Sequence, residues 1–568
     1  MIKKNTNLIL ILIFILGLSL RLFGLNWDQG HHLHPDERFL TMFVNDISLP
    51  ISLKQYLSVD SPLNPYNYDQ YKFFVYGTFP TSLVAFVSNI LNLKSYFYIN
   101  LVGRGLSALF DSLNIILLFY FFKLILNHPK KALIPSLLYA LAVLPIQLSH
   151  FFAVDTFLNT FIFATFTLLL YWFYKKKNLY LILASIFYAL ALSSKISAVF
   201  FAPIILLIFL FHLWKTKSLI STFIYGLIFA LISFLIIKIA SPYYFSQFFA
   251  PNPIFVDSIK TLSSFNNQYF PPAVQWLSKT KFIFPALNLI FWSLGIPLSL
   301  IFVFSLFKLP KLKNIPIFLS AIWILYLFIF QSAQFSYAQR YYLLLFPTLI
   351  IFISYLSIHL PPIVISLFFG FHLIYLLAFL NIYRLPHSRI QASDWIYKNI
   401  PQNSILSCEH WDDCLPLPIE NQTINHQTIS LDLYNQDTSD KWPPIYQNLS
   451  QIDYLVMSSN RLWGSIPKVS NIYPQTSIFY QQLFTGENLL DSGISFTKIA
   501  QFNNYPGFYI PFIKNCFYIG PSDYPGVKNK WMEKDSNCLY PGVYLRNDTA
   551  DESFTVYDHP QVLIFKKI

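Results

Sequence analysis

Charge is what this 568-residue sequence has least of. Only 12% of its residues are Asp, Glu, Lys or Arg, against about 25% in an average soluble domain. Acidic residues almost vanish from the middle: Asp111, Asp155 and Asp257 are the only ones between Asp69 and Asp394. No cysteine precedes Cys408, and the chain has just 16 glycines. There is no Walker loop, GxGxxG, HExxH, GxSxG or CxxC, so no motif announces a nucleotide site, a zinc centre or a serine nucleophile. No carboxylate relay of the proton-coupled kind runs through the apolar segments.

What fills the chain instead is apolar. Hydrophobic residues make up 55% and aromatics 19%, the composition of a polytopic α-helical membrane protein. With roughly 20 apolar residues needed per crossing, about eleven spans are expected: 7–25, 97–122, 132–149, 155–174, 179–195, 196–214, 218–240, 286–307, 315–331, 340–357 and 362–381. The first lacks a small-x-small cleavage site and reads as an uncleaved span. The net charge of +12 is not gathered into a basic patch, which argues against nucleic acid as a partner. Lys123, Lys130 and Lys131, Lys175 to Lys177, Lys215 and Lys217, and Lys308, Lys311 and Lys313 sit in alternate short loops, the bias of cytoplasmic loops. The N-terminus is then cytoplasmic, in a multi-pass plasma-membrane protein, with outer loops at 26–95 and 241–285.

The chain divides into a membrane region, 1–384, and a polar region, 385–568, expected to be an extracytoplasmic mixed α/β domain. SRIQASDWIYKNIP reads as a helix capped by Ser388, and SILSC, DYLVMSS, ISFTKIA, FTVYD and VLIFKK read as strands. Four cysteines confined to this region fit an oxidising compartment and allow three pairings. The short separation of Cys408 and Cys414 favours a local bridge, leaving Cys516 with Cys538.

The membrane region is organised around HHLHPDERFLTMF, residues 31–43. Proline suits a first helical turn, and carboxylates there face the positive end of the helix dipole. Phe39, Leu40, Phe43, Val44 and Ile47 recur at helical spacing. Asp36 and Glu37 are thus held at the tip of an amphipathic helix against the bilayer surface. Asp155, with His150 next to it in the same turn, lies at the same outer level. Arg104, Lys195 and Arg340 are cations on the outer side, against the usual bias, and a lipid phosphate accounts for them. Asp111, two turns below Arg104 on one helix face, is expected to orient it.

Carboxylates at a cavity mouth, cations for a phosphate and aromatic loops on which sugars stack describe glycosyl transfer from a lipid-phosphate sugar. The same residues resemble the GT-C superfamily, in particular family 39, the protein O-mannosyltransferase and aminoarabinose-transferase-like enzymes. Asp36-Glu37 in the first outer loop, the RxxSALF pattern from Arg104 to Phe110, Asp155 after a short outer turn and Lys195 ending a span carry the resemblance. YGTFP, ASDWIYKNIP and FTVYDHPQVLIFKK resemble a bacterial group with a C-terminal soluble domain. The resemblance implies an inverting enzyme that moves a sugar from a polyprenyl-phosphate carrier to an extracytoplasmic acceptor: a protein, a lipid or a glycan. Asp36 is the expected base, with Glu37 and Asp155 orienting the acceptor. Arg104, Lys195, Arg340 and His150 are expected to bind substrate. Asp36 and Asp155 are candidate ligands for a divalent cation, Mg²⁺ or Mn²⁺.

Two other classes compete. A lipid-linked sugar transporter or flippase would show half-helices broken by Gly or Pro and an internal repeat, and neither is evident in the sequence. A wall-binding scaffold would make the membrane charges dispensable. The topology is open to test. Thiol labelling from outside sealed cells, after reduction, is expected to reach Cys408 and Cys538; labelling only after permeabilisation would invert the placement of every outer residue.

Overall fold

The computed structural model describes residues 2–568 except 266, 268–270, 307–313, 420–421, 423–425, 511–514 and 521–542. Lys308, Lys311 and Lys313 of one expected inner loop, and Cys538 with its expected bridge to Cys516, lie outside the described residues.

Among these residues, eight helices are long and apolar enough to cross a membrane, or nine if one bent pair counts as a span. Three of the eleven expected spans depart from a single straight helix of full length. The run 132–149 is two short helices, Leu133–Ala140 and Val143–Ser149. Pro145 supplies no N–H to the carbonyl four residues back, and the ring Nε2 of His372 stands 3.0 Å from that oxygen, on Leu141. Arg21 donates to the carbonyls of Ala140 and Tyr139 at 3.2 and 3.3 Å, so the other freed acceptors are satisfied as the bilayer interior requires. The run 286–307 is bent by 113° between Ile283–Ser293 and Ile296–Phe304. Gly295 makes that bend with φ +77°, and a Cβ there would press on the Tyr375 ring. The run 179–195 is a helix of 17 residues, Asn178–Ser194. The expected outer loop 26–95 is itself helical in part, with Pro35–Asp46 and an apolar helix Thr78–Ile90.

The helix Val154–Lys175 is central and almost wholly buried, flanked by Tyr96–Leu126 and Asn178–Ser194. Leu219–Ala240 is peripheral: Leu219, Ile220 and Phe223 are each about two-thirds or more exposed, an apolar face that only lipid covers favourably.

Residues 385–568 form a mixed α/β region. Its strands are β1 (Ile405–Glu409), β2 (Gln427–Leu431), β3 (Tyr454–Met457), β4 (Phe496–Phe502), β5 (Gly507–Ile510), β6 (Asn515–Gly520), β7 (Val543–Arg546) and β8 (Val562–Lys567). One sheet runs β2-β1-β3-β8-β4, and a smaller one β5-β6-β7. In the larger sheet β1 is parallel to both β2 and β3, and β8 is antiparallel to β3 and β4. The pleat divides its side chains. Tyr454, Val456 and Ile564 face the helix Ser388–Asn399 and join the core of the membrane region. Leu455, Met457, Leu563 and Phe565 face the helices Trp442–Gln451 and Pro474–Thr485. Cys408 and Cys414 are bridged.

Two expectations fail locally. FTVYD is not a strand: Asp551 accepts from the Ser553 N–H and caps the one-turn helix Glu552–Thr555. Ser388 is not the cap of its helix either. His387 Nδ1 accepts from the Arg389 N–H, and the Ser388 hydroxyl donates to the Pro560 carbonyl at 2.7 Å.

Candidate active site

The helix Pro35–Asp46 starts as its sequence dictates. His34 is the N-cap, its Nδ1 accepting from the Glu37 N–H at 3.3 Å, and Pro35 is the first helical residue. Leu40, Phe43 and Val44 are buried against Phe74, Tyr71 and Val84. Since successive residues turn about 100° around a helix, Asp36 and Glu37 point to different partners.

Glu37 points inward. Arg104 donates its Nε–H to Glu37 at 3.0 Å and one Nη2 N–H at 2.5 Å. It also grips Asp28 in bidentate fashion, at 3.0 and 2.8 Å. Its last N–H goes to the Leu25 carbonyl at 2.8 Å. All five guanidinium donors are committed, and the side chains of Asp28, Glu37 and Arg104 are fully buried. Expected to meet a lipid phosphate, Arg104 has no donor to offer one. Glu37, expected beside the acceptor, is enclosed with it and also accepts from the Phe152 N–H at 2.8 Å. Burial raises the Glu37 carboxyl, with Arg104 opposing. Burial also acts to raise that of Asp28, but Arg104 and the Leu33 N–H outweigh it and hold it at about 2.

Asp36 points outward, to Arg340. Side-chain exposure is 23% for Asp36 and 19% for Arg340, which separates this pair from the sealed triad. A second open pair, Asp155 with Lys195 at 2.9 Å, is 11% and 21% exposed. The two pairs share one polar site, because the Lys195 charge acts on Asp36 and the Asp155 charge on His34. Burial alone would raise the Asp36 carboxyl; Arg340, His34 and Lys195 bring it down to about 2. Burial and Arg340 hold the His34 imidazole at about 4 despite Asp36, as its acceptor role at the helix cap requires. Tyr76 and Tyr341 border the site, the Lys195 ammonium standing 5.5 Å from the Tyr341 ring centre.

Backbone contacts fix these side chains. Asp155 lies in the first turn of Val154–Lys175, where a helix favours an anion. Lys195 caps the end of Asn178–Ser194 in extended conformation. YGTFP packs onto that same end: the Gly77 N–H donates to the Ser194 carbonyl at 2.9 Å. A Cβ on Gly77 would stand 1.8 Å from the Ser193 oxygen, so no larger residue permits this approach.

Two further assignments are corrected. His150 is fully buried and stacked on Tyr383 at 3.8 Å, with its ring nitrogens 2.8 Å from the carbonyls of Ile146 and Phe23; it holds the fold and does not face substrate. Asp111 pairs not with Arg104 but with Arg21, at 2.8 Å, and accepts from the Tyr139 hydroxyl at 2.6 Å. Sequence reasoning missed Asp28 and Arg21, whose partners lie 76 and 90 residues away. It also missed Tyr557, whose ring centre lies 4.3 Å from that of His34.

The donor set does not fit a resident divalent cation. Asp36 and Asp155 each face a cation of the chain, and among the described residues no three His, Cys, Asp or Glu side chains converge on a point.

A polytopic helical bundle joined to a mixed α/β region has known counterparts. The fold is shared with the oligosaccharyltransferase of Archaeoglobus fulgidus bearing a tethered acceptor peptide, at 12% identity and a TM-score of 0.50, over 84% of this chain and 72% of that one. ArnT of Cupriavidus metallidurans bound to undecaprenyl phosphate is similar at 13% identity and a TM-score of 0.45, over 68% and 71%. Residues 75–252 match the family model of dolichyl-phosphate-mannose-protein mannosyltransferase, a segment that holds Tyr76, Arg104, Asp155 and Lys195. No curated protein sequence matches the chain. The chain thus shares the fold of a membrane oligosaccharyltransferase, and its segment 75–252 matches a mannosyltransferase family model.

Two substitutions test the scaffold of the site. Arg104→Ala strands two buried carboxylates and is expected to destabilise the protein by about 3–5 kcal/mol, read as thermal unfolding in detergent. The part held by Asp28 is present above its ordinary value of 3.8 and lost as the pH falls toward about 2. Gly77→Ala forces apart two helices and is expected to cost about 3 kcal/mol. Unchanged unfolding of either variant would contradict the packing described.

Proposed function

We propose that this chain moves a sugar from a polyprenyl-phosphate carrier to an extracytoplasmic acceptor, by single displacement with inversion at the sugar carbon. The observation that carries the reading is the contrast between sealed and open ion pairs. Asp28, Glu37 and Arg104 are closed to substrate, while Asp36–Arg340 and Asp155–Lys195 stand side by side and partly open. The family model matched by 75–252 is itself described by a lipid-phosphate-linked sugar.

In this mechanism an acceptor hydroxyl attacks the anomeric carbon, and the bond from that carbon to the phosphate oxygen breaks. The phosphate leaves with the electron pair, and the hydroxyl proton passes to Asp36. Arg340 and Lys195 are the cations that take up the departing charge. Engagement of Arg340 by the phosphate loosens its hold on Asp36, so the donor's arrival frees the base. Asp155 keeps Lys195 in place. Arg104 and Glu37 serve by fixing the helix that carries Asp36. The reading places the N-terminus in the cytoplasm and residues 385–568 outside.

The two broken helices bear on the transporter alternative, which calls for interrupted spans lining a path. Around the break at 141–142 the carbonyls of Tyr139, Ala140 and Leu141 are occupied by Arg21 and His372, so that backbone is not presented to a cargo.

Asp36→Asn preserves shape but cannot take a proton. It is expected to slow turnover about 10²–10⁴-fold at saturating donor lipid, with no loss of donor affinity, since the amide competes less than the carboxylate for Arg340. Arg340→Ala and Lys195→Ala are expected to weaken donor binding. Because Arg340 keeps Asp36 ionised, kcat/KM should show no acid limb from this group until the pH approaches about 2. Normal turnover by Asp36→Asn would rule out Asp36 as base and move that role to Asp155.

A further inference from the structure

The segment DESFTVYDHPQ, 551–561, is joined to the membrane region along most of its length, and nothing in the proposed mechanism yet uses it. Asp551 accepts from the Trp276 indole at 3.1 Å and donates its N–H to Asn288 at 2.8 Å. The Glu552 N–H reaches Gln275 at 3.1 Å. Gln147 donates to the Phe554 carbonyl and to Asp558, both at 3.0 Å, and Tyr383 donates to Asp558 at 2.9 Å. His387 Nε2 lies 3.0 Å from the Tyr557 carbonyl, and Ser388 donates to the Pro560 carbonyl. The backbone on either side of Tyr557 is therefore held in place from both regions of the chain.

What this clamp presents is one phenol. The Tyr557 ring packs on His34 at 4.3 Å and edge-on to Phe151 at 6.2 Å. The side chain is half-buried, and its hydroxyl has no hydrogen-bond partner among the described residues. Arg340 and Asp36 act on it from the membrane side, and Arg461 and Glu552 from the soluble side, with the Arg461 guanidinium 5.9 Å from the ring centre. The nearby Tyr383 phenol, by contrast, donates to Asp558. A half-buried donor with nothing to bind, beside the one open arginine of the site, is shaped for an acceptor brought by a ligand.

We propose that Tyr557 is a substrate-binding residue contributed by the C-terminal region, its hydroxyl donating to a phosphate oxygen of the lipid carrier beside Arg340. This rests on the reading of the Asp36–Arg340 pair as the phosphate site. A phosphate oxygen held by one guanidinium keeps lone pairs for a second donor. A neutral phenol supplies that donor without another buried charge, which would need its own carboxylate and so compete with the phosphate. The assignment also gives the C-terminal region a part in binding.

The test uses the full-length protein in detergent micelles with undecaprenyl phosphate as probe. Tyr557→Phe removes the hydroxyl and keeps the ring against His34 and Phe151. It is expected to weaken undecaprenyl phosphate binding about tenfold or more, the effect of one hydrogen bond to a charged group, with the unfolding temperature unchanged. Unchanged affinity overturns the proposal, as does a loss that comes with a fall in unfolding temperature, since that marks a packing role. A variant that binds the lipid normally but turns over slowly would put the hydroxyl on Asp36 or the acceptor, and also overturns it. Arg340→Ala, run alongside, separates the two levels. If it weakens binding and Tyr557→Phe does not, only the Tyr557 assignment falls; if it too leaves binding intact, the phosphate site itself is misplaced.

Discussion

A guanidinium fully removed from water must have every N–H answered, and Arg104 shows how much structure that demand fixes. Its five donors are taken by Asp28, Glu37 and the Leu25 carbonyl. Those three come from the loop after the first span and from the first helix beyond it, while Arg104 belongs to the helix Tyr96–Leu126. Glu37 in turn takes the N–H of Phe152, in the turn before the central helix. Two carboxylates against one guanidinium leave negative charge in excess, and the backbone N–H groups of Gly30, Leu33 and Phe152 supply the remaining donors. Such a cluster adds little net stability over an apolar one, yet it is intolerant of losing a member. Its value lies in specification: four segments are held in one arrangement or not at all.

Exposure then sorts the remaining charges into kinds. Arg21–Asp111 and Arg104 with its two acids are sealed. Asp36–Arg340 and Asp155–Lys195 are not. A sealed pair is part of the fold, because opening it would desolvate nothing useful and strand a charge. A partly open pair can trade one partner for a ligand of like charge, as the proposed reading has a phosphate replace the carboxylate that the cation gives up. On that reading, pairing in the resting protein keeps a binding cation inside a low-dielectric site before its substrate arrives.

Local signals were legible in the sequence, and through-space ones were not. The helix start at His34-Pro35-Asp36-Glu37 was readable because proline and first-turn acids act on their own backbone. The strands β1, β3, β4 and β8 were readable from their pleat and branched residues. The membrane class followed from composition; Asp36 was singled out by its helix start, Asp155 by its isolation among acids, and Lys195 and Arg340 as cations on the expected outer side. None of these signals could say which cation met which anion. Arg104 was matched with a phosphate because Asp28, its true partner, sits in WDQG with no spacing that marks it. Asp111 was matched with Arg104 because they share a helix face, whereas Arg21 reaches it from another helix. FTVYD alternates like a strand, and the signal against it, Asp551 two residues before Ser553 as a cap, was short enough to be outweighed.

Asp36, Glu37 and Arg38 are consecutive, and each meets a different part of the molecule. Asp36 meets Arg340 near the end of the membrane region, Glu37 meets Arg104 in the helix Tyr96–Leu126, and Arg38 meets Asp413 in the C-terminal region. Asp413 in turn shares Arg389 with Asp412, carrying the linkage into the helix Ser388–Asn399. One helical tip therefore couples three bodies; the Glu37 bond is sealed, while those of Asp36 and Arg38 are partly exposed. A ligand that displaces Arg340 from Asp36 loosens that one bond while the other two still hold the helix in register. In the proposed reading the base is then freed without being moved, which is what transfer between two positioned substrates requires.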